Sequence, residues 1–188
     1  MPVAVAAIET SSIAQGAVVA DALVKTAEVE LIEASPISPG KYWILIGGDV
    51  AAVRASFRRG LEVAADTLLD SLLIPQIHQG VLPALRGTVT ARDDDALGVI
   101  ETLTAAAAFL SADHAAKAAD VLLRDLRLAN GLGGKGVLFL SGDVGNVEAA
   151  VAAGRAEAVR RGLLARAVVV PRLHAQMKQR VFGCISRA

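Results

Sequence analysis

Two patterns in this 188-residue chain invite a chemical reading. One is Gly131-Leu132-Gly133-Gly134-Lys135-Gly136, which spells GxGxxG; the other is a pair of acids in similar strings, Ile8-Glu9-Thr10 and Ile100-Glu101-Thr102. A dinucleotide fingerprint needs its glycine loop to open a helix, whose first amides then hold a pyrophosphate. Val137-Leu138-Phe139-Leu140 follows instead and reads as a strand, so the context fails. The Gly-Lys pairs at 40–41 and 134–135 form no P-loop either. Tyr42 and Gly136 stand where a magnesium-binding Ser or Thr belongs, and the glycine five residues upstream is missing. Glu9 and Glu101 have the chemistry for acid/base work, but an acid duplicated at a strand end reads first as an ion-pair or hydrogen-bond anchor. His78, His114 and His174 are too widely spaced for a zinc site, and the single cysteine, Cys184, reads as inert. No nucleophile, base and orienting group fall together. The residues predict no catalytic site, no metal site, no cofactor and no enzyme.

Composition narrows the classes further. Lys+Arg and Asp+Glu number 19 each, so the formal net charge is zero, which argues against a nucleic-acid partner needing a basic surface. One cysteine excludes a disulfide framework. Charges or prolines interrupt every apolar stretch before eighteen residues, so no membrane partner is expected, and Met1-Pro2-Val3-Ala4 lacks a basic leader start. Hydrophobic residues make up 54% of the chain but aromatics only 3%, and 37 residues are alanine. Alanine has the best helix propensity and little side-chain entropy to lose, and it lets backbones approach closely. The zero charge hides an asymmetry. Residues 1–91 hold six Lys/Arg and nine Asp/Glu, a net −3, whereas residues 96–188 hold twelve and seven, a net +5. Either these are uneven solvated faces or they are complementary edges that pair one copy with the next.

The chain repeats itself once. Ile8-Glu9-Thr10 returns at 100–102 and Ala20-Asp21…Lys25 at 112–117, both at an offset of 92. Gly40-Lys41 and Gly48-Asp49-Val50 return at 134–135 and 142–144, at an offset of 94, and Pro75…His78 returns as Pro171…His174, at 96. The partition is residues 1–91, a linker at 92–96, and residues 97–188 with a C-terminal tail. In each copy, apolar runs predict strands (3–8 and 97–100; 29–34 and 121–128; 42–46 and 137–140; 71–74 and 165–170). Helical spacing predicts helices at 10–26 and 102–118 and at 50–66 and 144–161, with Thr10 or Ser11 capping the first and Asp49 and Asp143 capping the second pair. The order βαββαβ gives an α+β fold: two tandem domains, each an antiparallel sheet with helices on one face.

In this order the strings resemble the bacterial microcompartment (BMC) shell-protein domain, here in tandem and not circularly permuted. The family pattern is a strand ending in Glu-Thr, a helix with Ala-Asp and then Lys, a glycine-bearing turn, Gly-Asp-Val opening a second helix, and a closing Pro-x-x-His. Both copies carry all of it. The resemblance implies ferredoxin-like BMC domains and a structural, non-catalytic role in the microcompartment shell within the cytoplasm. It implies a homotrimer of six domains with a pseudohexameric outline, tiling beside hexameric and pentameric shell proteins. It places Ile37, Ser38, Pro39 and Gly40, with Leu132, Gly133 and Gly134, around a central pore for small polar metabolites. Lys25, Lys117, Gln76 and Arg172 fall at lattice edges; Gln76 departs from the arginine that Arg172 matches, so alternate edges should differ. Some tandem relatives hold an iron–sulfur cluster on a cysteine of the first turn. Ser38 stands there, without a thiolate. Two alternatives remain: a ligand-sensing oligomer of ferredoxin-like domains, and a redox-conducting shell protein.

Overall fold

The computed structural model describes residues 2–183 except Thr90, Ala91 and Asp93; Cys184 lies outside the described residues. Two compact units emerge. One is Met1–Ile77 with Ala129–Gly134, the other His78–Leu128 with Lys135–Ala188. The division does not coincide with the sequence partition at 91 and 97. Residues 78–89 go with the second copy, and the turn 129–134 goes with the first.

In the first unit, β1 (Ala4–Thr10), α1 (Ile13–Thr26), β2 (Glu30–Ile37), β3 (Lys41–Gly48), α2 (Val50–Ala64) and β4 (Leu68–Ile74) form a four-stranded antiparallel sheet ordered β2-β3-β1-β4. All seven residues of β1 are buried, and its sequence is accordingly apolar without alternation over residues 4–8 before ending in the buried polar pair Glu9 and Thr10. In register, Ala6 faces Ile46 and Ile8 faces Ile44. Their side chains join Val19, Ala20, Leu23, Val53 and Ala64 from the helices in one core. Gly60 explains how α2 lies so low: a Cβ there would come within 2.6 Å of both Ile8 and Leu23.

The second copy repeats the plan. A short helix, α3 (Val81–Arg86), ends at Gly87 in the left-handed conformation. Then follow β5 (Ala96–Thr102), α4 (Ala105–Ala118), β6 (Leu122–Leu128), β7 (Gly136–Gly142), α5 (Val144–Arg160), β8 (Leu164–Val170) and α6 (Ala175–Gly183), with the sheet ordered β6-β7-β5-β8. Gly154 sits as Gly60 does, against Ile100 and the Ser111 carbonyl. Each copy is thus α+β, with the expected βαββαβ order.

The differences from expectation have physical causes. Thr10 and Thr102 end strands instead of starting helices, because β-branched residues extend the ladder opposite Tyr42 and Gly136. Their hydroxyls donate to the Ser12 and Thr104 carbonyls, at 2.9 and 2.8 Å. The helices begin later, capped by Ser12 and Thr104 and not by Thr10 or Ser11. Asp49 caps α2 as expected, accepting from Ala51 and Ala52, whereas Asp143 occupies the cap position without a side-chain bond. Neither α3 nor α6 was anticipated: each is short, and Pro83 within α3 masks its helical pattern.

Candidate functional site

The glycine turns of both copies meet within the first unit. Asn130 Oδ1 accepts from the Ser38 N–H at 3.1 Å, and Lys41 Nζ donates to the Gly134 carbonyl, also at 3.1 Å. Gly134 requires glycine twice over: its φ is +89°, and a Cβ would lie 2.8 Å from Pro39 Cδ. Ile37 and Gly134 are buried, so the surface offered by these turns is Ser38, Pro39 and Gly40 beside Asn130, Gly131, Leu132 and Gly133. That surface carries one hydroxyl, one amide and backbone groups, and no formal charge. It suits contact with small polar molecules through weak hydrogen bonds.

The Gly-Lys motifs acquire a role here. Lys41 pairs with the fully buried Glu9, and Lys135 pairs with Glu101 at 2.9 Å, so both acids are ion-pair anchors at strand ends. The GxGxxG string is a turn between strands, with Gly136 already in β7.

The expected edge residues belong to other elements. Lys25 and Lys117 occupy the last turns of α1 and α4, each 2.6 Å from the aspartate one turn before, Asp21 and Asp113. Gln76 and Arg172 are exposed just after β4 and β8. The histidines bond locally: His78 Nδ1 accepts from Gly80 N–H and His174 Nδ1 from Gln176 N–H, while His114 is exposed on α4.

Three features escaped the sequence reading. Asn130 marks its turn with no periodic or charge signal. Asp113 is buried and accepts the His78 N–H at 2.8 Å, yet in sequence it is one member of an Ala-Asp…Lys string. Arg124, also buried, donates to Ser141 Oγ at 2.5 Å, to Asp94 at 3.0 Å and to the Arg92 carbonyl. Burial pushes the Asp94 carboxyl upward, but the hydrogen bond from Ser141 and the charges of Arg92 and Arg124 outweigh it and hold it below its ordinary value. A cleft of about 460 Å³ opens nearby in the second unit, between His78, Thr88, Arg92, Asp120 and Leu123. Its two charges are already turned to one another, Arg92 and Asp120 at 3.8 Å.

Comparison with known proteins joins these features to a family. The BMC domain matches twice, at residues 4–77 and 96–173. The chain is 40% identical over 184 residues to the bacterial microcompartment shell protein PduT of Citrobacter freundii, covering 97% of this chain and all of that one. Among solved structures, a microcompartments protein from Desulfitobacterium hafniense DCB is 43% identical, with a TM-score of 0.84 over 94% of this chain and 98% of its own. A fused permuted hexameric shell protein from the RMM microcompartment is 27% identical, with a TM-score of 0.59 over 82% and 81%.

Proposed function

The chain belongs to the BMC-domain family of microcompartment shell proteins, in tandem form, and on that premise we propose a homotrimer of six BMC domains whose glycine turns ring a central pore. Its role in the shell is structural. The observation that carries the pore reading is the joining of two turns, one from each copy, by the Asn130–Ser38 and Lys41–Gly134 bonds. Three such pairs around an axis would present Ser38, Asn130 and exposed glycine backbone to passing metabolites, polar enough to admit them and too weak to retain them. Lys25, Lys117, Gln76 and Arg172 lie on exposed segments, suited to contacts with neighbouring shell proteins. No step of catalysis is assigned to any residue.

Sedimentation and electron microscopy of the full chain test this reading. A particle of three chain masses that forms sheets or tubes at high concentration is expected; a monomer at every concentration overturns it. A thermal-shift screen with nucleotides and small acids separates the ligand-sensing alternative, because a bound ligand raises stability by RT ln(1 + [L]/Kd). The redox alternative requires a thiolate that Ser38 does not supply, and anaerobically purified protein is expected to show no iron–sulfur absorbance.

A further inference from the structure

The second copy contains a contact that the first copy leaves half made. Residues 78–86 pack on α4 and β6, with Val81, Leu82 and Ala84 buried. The seat is fastened by the His78 N–H on Asp113 Oδ1, while Asp113 Oδ2 holds Lys117. The side chain of Asp113 is 3% exposed, and Leu123 and Ala116 beside it are 2% and 7% exposed. The repeat-equivalent residues of the first copy are Asp21, Leu31 and Val24, and they are 57%, 43% and 39% exposed. Asp21 holds Lys25 with the same oxygen and the same 2.6 Å, leaving its Oδ1 for a donor. The same surface is present and uncovered.

The matching cover is present too. Strand β8 exits as β4 does: Leu173 N–H bonds the Asp95 carbonyl as Ile77 N–H bonds that of Val3, and Met177 N–H bonds the His174 carbonyl as Val81 N–H bonds that of His78. The backbone at His174 is therefore shaped as at His78, yet residues 175–177, 179 and 180 of α6 lie exposed, with Met177, the counterpart of Val81, 49% exposed. Where α3 has Leu82 and Ala84, α6 has Lys178 and Arg180; where β6 begins at Leu122, β2 begins at Glu30, and an acid, Asp120 or Glu28, precedes the strand in both copies. An apolar pairing in one copy is replaced by opposite charges in the other. Lys178, which reaches Asp95 within its own chain, would turn to this acidic end.

The turns leave a second contact of this kind. Lys41 donates to the Gly134 carbonyl, but its counterpart Lys135, 46% exposed, is bonded only to Glu101 among the described residues. The counterpart of the Gly134 carbonyl is that of Gly40, on the exposed tip of the first turn.

We propose that a second copy of this chain completes both contacts. Residues 174–183 of one chain cover α1 and β2 of the next, the His174 N–H donates to Asp21, and Lys135 donates to the Gly40 carbonyl. Such a head-to-tail contact closes into a ring or runs on as a filament; closure at three rests on the trimer reading above. It makes each first-copy turn depend on its neighbour.

The test compares sedimentation of wild type, Asp21→Arg, Asp21→Asn, Lys135→Met and a chain ending at His174, with circular dichroism to verify folding. Asp21→Arg and the shortened chain are expected as folded monomers, and Lys135→Met is expected to dissociate at a concentration at least about tenfold higher than wild type, from the loss of a bond to a charged group. Asp21→Asn keeps an acceptor oxygen and remains trimeric. Asp21 and residues 175–177, 179 and 180 are exposed in the single chain, so folding should survive. Trimers of Asp21→Arg and of the shortened chain as stable as wild type overturn the docking but leave the trimer standing. A wild type that never leaves the monomer overturns the trimer reading and the docking with it.

Discussion

The two copies fill one corner of the sheet in opposite ways. Irregular pairing places Ile32 at a bulge in β2, between Leu31 and Glu33, and Arg124 at the same bulge in β6, between Leu123 and Asp125. In the first copy Ile32 lies against Gly47 and Pro2; a Cβ on Gly47 would come within 2.8 Å of Ile32 and 2.9 Å of Pro2. In the second copy the equivalent residues are Arg124, Ser141 and Asp94, and they form a buried ion and hydrogen-bond network. The bulge is common to both; the chemistry is not. An apolar corner tolerates the loss of a methyl group, but an ionic corner is stable only while every member is present, since a lone buried charge is left without compensation. The ionic form fastens Arg92 and Asp94 to the sheet of the second copy.

The largest expected effect breaks that comparison directly. Arg124→Ala leaves the buried Asp94 with Arg92 as its one remaining cation and takes the donor from Ser141, and should cost about 3 kcal/mol in urea unfolding. Installing an apolar corner in the second copy, with Asp94→Ala, Arg124→Ile and Ser141→Gly together, should return stability to within about 1–2 kcal/mol of wild type. If the triple variant is as unstable as Arg124→Ala, the corners are not interchangeable and the contrast fails.

Next come the two helix glycines. At Gly60 an added Cβ meets the tips of Ile8 and Leu23, which can swing aside, whereas at Gly154 it also meets the Ser111 backbone carbonyl at 2.7 Å, which cannot. Gly154→Ala should therefore cost about 1–3 kcal/mol by overpacking. Gly60→Ala should cost less, because the higher helix propensity of alanine, about 1 kcal/mol, offsets the smaller rearrangement. Equal losses would mean that the helix–helix approach is equally soft in the two copies.

What the sequence displayed and what it hid follow the same division. Strings recurring at fixed offsets, such as Gly48-Asp49-Val50 and Pro75…His78, made the tandem α+β order legible, because each marks a turn or cap whose local chemistry is self-contained. Element ends were off where local chemistry was ambiguous: Thr10 is as good a cap as a strand residue, and only its pairing opposite Tyr42 decides. The glycine turns were legible as turns, but their junction through Asn130 was not, since it joins residues 92 positions apart. Arg124 was invisible for a different reason. An arginine in an alternating strand reads as solvent-facing, and it is the bulge at 123–125, with no composition signal, that turns it inward.

A third contrast concerns the aspartates of α1 and α4. Asp113→Ala removes the acceptor of the His78 N–H from a buried site and should destabilise even the dilute monomer by about 1–2 kcal/mol. Asp21→Ala removes only an exposed pair and should change the monomer by less than about 0.5 kcal/mol. Equal losses in thermal unfolding of the dilute protein would show that Asp21 already has a structural partner within its own chain.

The smallest effect is one of slope. A carboxyl whose folded-state value lies below its unfolded one adds stability that is complete above the unfolded value and is lost as pH falls through the folded one. Asp94 is such a group, held below its ordinary 3.8 against the opposing effect of burial by Ser141, Arg92 and Arg124. Its contribution is thus full at neutral pH and fades only under acid conditions, beneath the ordinary carboxylate range. The first-copy corner of Pro2, Ile32 and Gly47 has no titrating group and no such fade. Unfolding free energy measured from neutral pH into that acid range should fall more steeply for wild type than for the triple corner variant, with the two curves parallel at higher pH. Parallel curves throughout would mean that Asp94 keeps its ordinary value, and that the ionic corner differs from the apolar one in shape alone.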